Sequence, residues 1–90
     1  MYYVYLIRSK KDSKWYIGYT NDLKRRFSEH SKGLNFATKH RVPFELIYYE
    51  ESLDKADARA REKYLKSGMG KRFLKNRLKY FLDKNTSSGL

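Results

Sequence analysis

Tyr2-Tyr3-Val4-Tyr5-Leu6-Ile7 and, after a polar break, Trp15-Tyr16-Ile17-Gly18-Tyr19-Thr20 decide the fold of this chain. Both runs are β-branched and aromatic, the composition expected of strands. Between them Arg8-Ser9-Lys10-Lys11-Asp12-Ser13-Lys14 is polar and suits a hairpin connection. A four-residue loop at Ser9 to Asp12 sets Arg8 opposite Ser13 and, counting back in antiparallel register, Tyr5 opposite Tyr16. Two phenols then share one face with Gly18, and a glycine inside a strand marks a close approach to the backbone. A five-residue loop would shift the register and separate the phenols.

Beyond Thr20 the apolar period becomes helical. Asn21 or Thr20 caps the first helix, with Asp22 placed favourably in its first turn. Leu23, Phe27 and His30 share a face, and Arg26 lies about 60° from its centre on the helical wheel. A guanidinium turned inward requires a carboxylate, carbonyls or a phosphate. Gly33 ends this helix, and Ser31 to Pro43 reads as a long loop whose Lys39-His40-Arg41 patch is expected near the substrate. Phe44 to Glu50 is a third strand. A second helix runs from near Asp54 to Ser67 with Ala58, Glu62 and Leu65 on its inward arc; the alternative for Glu62 is a surface residue paired with Lys63 or Lys66. Gly68-Met69-Gly70 reads as a hinge before a third helix, Lys71 to Leu82, with Leu74, Leu78 and Phe81 as its apolar stripe. Lys71, Arg72, Lys75, Arg77 and Lys79 make this helix the most basic element.

The order β-β-α-β-α-α predicts an α+β fold, a small αβ sandwich with a three-stranded, mainly antiparallel sheet flanked by helices. Ninety residues make one domain, since a chain of this size buries only about 60 to 65% of its unfolded surface. Residues 1–83 are expected to form it, followed by a polar tail over residues 84–90. Lys and Arg number 21 against 10 Asp and Glu, so a net charge of +11 points to a polyanionic partner. The bases are dispersed and form no basic amphipathic helix with a broad lipophilic face, which sets nucleic acid ahead of a membrane surface. Cysteine is absent, which removes disulfides, thiolate metal sites and thiol nucleophiles and fits a reducing cytoplasm. No signal peptide or membrane span is expected ahead of the first strand. A monomer is assumed.

Walker loops, dinucleotide fingerprints, zinc-spaced histidines and a serine triad are all missing. What remains is a set of tyrosines, one inward arginine, one inward histidine and one inward glutamate on a basic domain. Phosphodiester hydrolysis needs an activated water, a cation on the phosphate oxygens and stabilisation of the leaving oxygen. This inventory can supply all three. A lone carboxylate suits Mg²⁺, which binds through one or two carboxylates and keeps several waters.

The paired motif Tyr3-Val4-Tyr5 and Tyr16-Ile17-Gly18 resembles that of the GIY-YIG nuclease superfamily, in its short single-domain bacterial form. Asn21-Asp22-Leu23-Lys24-Arg25-Arg26-Phe27 resembles the segment that carries the family's catalytic arginine, here Arg26, and His30 stands where the family has His or Tyr. Glu62, in Ala60-Arg61-Glu62-Lys63-Tyr64, resembles the metal-binding glutamate. The resemblance implies an endonuclease that hydrolyses DNA, structured or branched DNA included, with inversion at phosphorus. Glu62 would hold one Mg²⁺ or Mn²⁺, Arg26 would neutralise the scissile phosphate, and Tyr5 or Tyr16 would deprotonate or orient the water, with His30 sharing the relay. Gly18, Tyr19, Lys39, Arg41, Lys71 and Arg72 are the expected nucleic-acid contacts. Tyr3 replaces the first motif's glycine, and Tyr19 stands where some relatives carry lysine. The family's late asparagine could correspond to Asn76, which the wheel places opposite Leu74 as an exposed residue. The competing reading is a non-catalytic domain that binds DNA or RNA through phosphate contacts and aromatic stacking.

Overall fold

A computed structural model describes residues 1–87 of the chain, with side chains described through residue 84. The elements follow as β1 (Tyr2–Ser9), β2 (Trp15–Thr20), α1 (Leu23–Ser31), a 3-10 turn (Lys39–Arg41), β3 (Phe44–Ser52), α2 (Lys55–Lys66), α3 (Gly68–Arg77) and α4 (Lys79–Ser87). The strands form one antiparallel sheet in the order β2-β1-β3. β1 takes the centre because Val4, Tyr5, Leu6 and Ile7 form an unbroken apolar run, and all four are buried.

Each face of the sheet carries its own cluster. On one, Val4, Leu6 and Ile17 pack against Ala58 and Leu65 of α2 and Leu74 of α3. On the other, Tyr5, Ile7 and Phe44 pack with Tyr16, Leu23, Phe27, Val42 and Leu46. The result is the expected α+β arrangement, with α2 and α3 on one side and α1 with its following loop on the other. β3 accommodates one extra residue, Ile47, where the pairing steps from Leu6 with Tyr48 to Ile7 with Leu46.

The hairpin register differs from expectation. Arg8 pairs with Trp15, Ile7 with Tyr16 and Tyr5 with Gly18. Ser9 stays in the strand and organises the turn, so the four-residue loop runs from Lys10 to Ser13. Its amide donates to the Lys14 carbonyl at 2.9 Å. Its hydroxyl accepts from the amides of Lys11 at 3.0 Å and Asp12 at 3.2 Å, and donates to the Arg41 carbonyl at 2.6 Å. Ser13 closes the loop at φ 62°, in the left-handed region. The shift is two positions, an even number, so Tyr5 and Tyr16 keep a common face but stand diagonally. Their ring centroids are 6.5 Å apart.

Helix ends refine the expected boundaries. Asp22, rather than Asn21 or Thr20, caps α1 by accepting the Arg25 amide at 3.1 Å, while the Thr20 hydroxyl accepts the Asp22 amide at 3.0 Å. Gly33, at φ 71°, terminates α1 with Leu34 N–H on the Glu29 carbonyl and Gly33 N–H on that of His30. Gly68-Met69-Gly70 is the first turn of α3 and not a hinge, because Ser67 caps that helix through the Gly70 amide. A Cβ on Gly70 would collide with the Tyr64 carbonyl and the Leu65 backbone, so glycine lets α3 close onto the end of α2.

The expected third helix is two helices. Leu78 leaves helical geometry at φ −109°, ψ 18°, and α4 begins at Lys79. The expected domain limit after residue 83 falls inside α4, and residues 88–90 of the expected tail lie outside those described. Among the described residues, no helix is long and apolar enough to cross a membrane.

Candidate active site

Pairing with Gly18 determines where the Tyr5 phenol goes. A Cβ on Gly18 would overlap the Tyr5 hydroxyl and ring, with Cε1 at 2.9 Å. The missing side chain therefore admits Tyr5 itself, where the sequence suggested room for substrate. Tyr5 projects from the central strand across β2, the edge strand, and meets His30 from α1 at 2.8 Å between hydroxyl and Nε2. His30 is fully buried and its Nδ1 lies 2.7 Å from the Thr38 hydroxyl. Tyr5, His30 and Thr38 thus form a buried hydrogen-bonded chain linking β1, α1 and the loop that follows it.

The ionisation of these groups follows from their surroundings. Burial pushes the Tyr5 phenol well above the usual tyrosine range; Tyr16 and Glu62 add to the effect and the Arg26 guanidinium opposes it. Burial also pulls His30 below the usual histidine range, and Arg26 adds to that shift against Glu29. Tyr5 is therefore a neutral phenol and His30 a neutral imidazole near pH 7. If Nδ1–H donates to Thr38, Nε2 accepts the Tyr5 proton, and the phenol oxygen retains its own accepting capacity.

Tyr16, Arg26 and Glu62 all act electrostatically on the Tyr5 hydroxyl. The Tyr16 ring is 5.2 Å from that of His30. Arg26 has a buried Nε without a hydrogen bond. That atom lies 3.2 Å from Glu29 Oε1, an ion pair by distance whose angle leaves the N–H unsatisfied. A buried guanidinium N–H in that state is a ready donor to an anion.

Glu62 arrives from the other layer. Arg61 grips Glu50 of β3 with two bonds of 2.8 and 3.0 Å, which fixes the rotation of α2 and turns the next residue about 100° round the helix. The Glu62 side chain is 15% exposed and bonds Lys66 Nζ at 2.9 Å and Arg59 at 3.5 Å. Arg59 in turn lies over the Tyr19 ring of β2. Among the described residues no three His, Cys, Asp or Glu side chains gather as a metal cluster. One shielded carboxylate fits a hard divalent ion that keeps its waters and takes a phosphate oxygen, in competition with the Arg59 and Lys66 cations now on it.

The expected nucleic-acid contacts separate. Tyr19 points to the α2 side, stacked on Tyr2 at 6.3 Å. Arg41 ties its loop to the hairpin through Asp12 at 3.2 Å, and Lys39 rests over the exposed Phe36 ring. Lys71 lines a groove beside Tyr16, whereas Arg72 faces a different depression with Tyr64, Met69, Phe73 and the exposed Asn76. Thr38 was not singled out from sequence; a threonine in a polar loop carries no signal of its bond to His30. Lys14, Lys66 and Lys75 also line the Tyr16 groove, and nothing in the sequence signals that the three meet there.

Residues 1–76 match the GIY-YIG catalytic domain. The chain belongs to the GIY-YIG family. That family is one of endonucleases, and its nucleases generally use a divalent metal. Similar curated proteins are a UPF0213 protein of Clostridium perfringens, 39% identical over 73% of this chain and 71% of that protein, and the UPF0213 protein YazA of Bacillus subtilis, 42% identical over 72% and 66%. A UPF0213 protein of Limosilactobacillus reuteri is 41% identical over 72% of this chain and 70% of its own length. No solved structure matches the chain. Within the GIY-YIG domain, the two motif strands are β1 and β2, and Arg26 and Glu62 lie on α1 and α2.

Proposed function

We propose that this GIY-YIG protein is a metal-dependent endonuclease that hydrolyses phosphodiester bonds in DNA, with structured or branched DNA among its substrates. The observation that supports the reading is the unsatisfied buried Nε–H of Arg26, one helical turn before His30 on α1, whose ring is hydrogen-bonded to the Tyr5 hydroxyl. Arg26 offers its unsatisfied N–H to a non-bridging oxygen of the scissile phosphate. Glu62 would hold the Mg²⁺ or Mn²⁺ ion, which when bound supplies Lewis-acid polarisation and lowers the pKa of water.

A phenol held neutral is a poor simple base, so Tyr5 acts as a relay. Its oxygen takes a proton from the attacking water while its own proton passes to His30 Nε2, and Thr38 holds the ring. The water oxygen bonds to phosphorus as the P–O bond on the opposite side breaks, giving inversion; the leaving oxygen departs with the bonding pair and takes a proton from solvent. Tyr16, part-exposed beside the groove, orients the water or the phosphate.

The second reading, a domain that binds DNA or RNA without cutting, is favoured by one observation: Arg59 and Lys66 already neutralise Glu62. Glu62→Gln separates the two. The nuclease reading expects cleavage with Mn²⁺ to fall at least about 100-fold with binding retained. If the unmodified protein with Mn²⁺ leaves duplex, nicked, branched and single-stranded DNA intact at low salt, the nuclease reading fails and the binding module stands.

A further inference from the structure

Along the free edge of β2 runs a groove of about 590 Å³, lined by Ser13, Lys14, Trp15, Tyr16, Ile17, Lys66, Lys71 and Lys75. Four of the eight lining residues are lysines and none is acidic. Lys71 and Lys75 are four residues apart on α3, hence on one face and about 6 Å apart along its axis. Among the described residues Lys14, Lys71 and Lys75 form no ion pair, although acids elsewhere are paired with Arg8, Arg25, Arg26, Arg41, Arg59 and Arg61. Uncompensated cations in one groove with apolar walls focus positive potential there. The groove also reaches the site: Tyr16 forms part of its wall, and Lys66 bonds Glu62.

We propose that this groove holds the phosphodiester backbone of one nucleic-acid strand on one side of the scissile phosphate, with Lys14, Lys71 and Lys75 as the phosphate contacts. The site is assembled from the hairpin turn and α3, and it accounts for only one of the two basic residues expected on α3 to touch substrate. Arg72 lies outside it. The path to a scissile phosphate rests on the nuclease reading, whereas the strand contact itself does not.

The test is binding of fluorescein-labelled DNA and RNA oligonucleotides in EDTA, where a metal-dependent cut is silent, followed by anisotropy across a salt series. Each phosphate contact adds about 0.7 to 0.9 to the slope of log affinity against log salt. The triple variant Lys14→Met, Lys71→Met, Lys75→Met is therefore expected to lose about 2 to 3 from that slope and to bind roughly 100-fold or more weakly at 0.1 M salt. Lys55→Met, Lys63→Met, Lys84→Met removes the same charge from exposed positions outside the groove and should bind much more tightly than the groove variant.

Trp15 is the single tryptophan, so its emission should change saturably as unlabelled oligonucleotide fills the groove of the unmodified protein, whatever the fate of the variants. An unchanged Trp15 signal at saturation, an unchanged slope in the groove variant, or equal losses in both variants overturns the proposal. So does binding to phosphatidylserine vesicles without binding to either oligonucleotide. Groove-dependent binding without cleavage in Mn²⁺ supports the strand contact and removes the nuclease reading. Wild-type cleavage by the groove variant does the reverse.

Discussion

Replacing Gly18 by alanine places a methyl group where the Tyr5 phenol lies. The new Cβ would meet Tyr5 Cε1 at 2.9 Å and overlap its Cζ and hydroxyl more severely. A flexible, exposed tyrosine would swing away, but Tyr5 is 1% exposed and its hydroxyl is bonded to His30. Forcing a methyl into such a packed position costs about 1–3 kcal/mol. Turning the phenol away also breaks the bond to His30, worth about 0.5–1.5 kcal/mol, and leaves a buried imidazole nitrogen unpaired. A combined loss of about 2–4 kcal/mol is a large part of the roughly 5–15 kcal/mol expected of a small domain. At 2 kcal/mol the melting temperature falls by about 8–16 °C.

Urea unfolding and thermal melts give the stability, and cleavage is then measured well below the variant's melting point. The folded fraction should cut much more slowly because the Tyr5 relay is displaced. Tyr5→Phe in the Gly18→Ala background should restore little activity. A Gly18→Ala protein that melts within a few degrees of the unmodified chain and cuts normally would refute both the packing argument and the placement of Tyr5.

Two further outcomes follow from named groups. The unfolded chain protonates its histidines near pH 6.5 while folded His30 does so only at lower pH, so below about 6.5 the unfolded state binds more protons and stability falls. Urea midpoints from about pH 7.5 to about 5.5 should show this decline in the unmodified protein and much less of it in His30→Asn; equal declines would show that His30 is not the titrating group. Lys66→Met frees one Glu62 oxygen, and because that lysine is half-exposed the expected gain in Mn²⁺ affinity is modest, between about 1.5- and fivefold. Electron paramagnetic resonance of free Mn²⁺ measures it without any turnover, and an unchanged affinity would sink the idea that Lys66 and a cation compete for Glu62.

Much of the fold could be read from residue order because local and tertiary preferences agree. The two aromatic runs became β1 and β2, Gly33 ended α1, and the inward arc of Ala58 and Leu65 did bury α2. Register was less legible because it depends on Ser9, whose hydroxyl bonds the Arg41 carbonyl from 32 positions away. The break at Leu78 was hidden for a related reason: Leu74, Leu78 and Phe81 continue a helical stripe, and only the geometry at Leu78 interrupts it. For the candidate site, residue identity suggested Tyr5, Tyr16, Arg26, His30 and Glu62. The role of Gly18 emerged only once the register placed Tyr5 across it. Thr38 and the lysine groove required tertiary structure, since their partners come from separate elements.

The lysines beside β2 also bear on how the chain behaves in company. Among the described residues β2 pairs with a strand on one side only, with β1, and although Arg41 reaches its Trp15 carbonyl, its other edge has no strand partner. Aromatic residues at three of its six positions would make such an edge adhesive. Lys14, Lys66, Lys71 and Lys75 crowd that edge with like charge, so a second copy approaching strand to strand would bring four more cations against them. A protein stripped of these charges should therefore become prone to self-association, most of all at high concentration and without nucleic acid. The groove that gathers positive charge for a polyanion would, by the same charge, keep the sheet from growing.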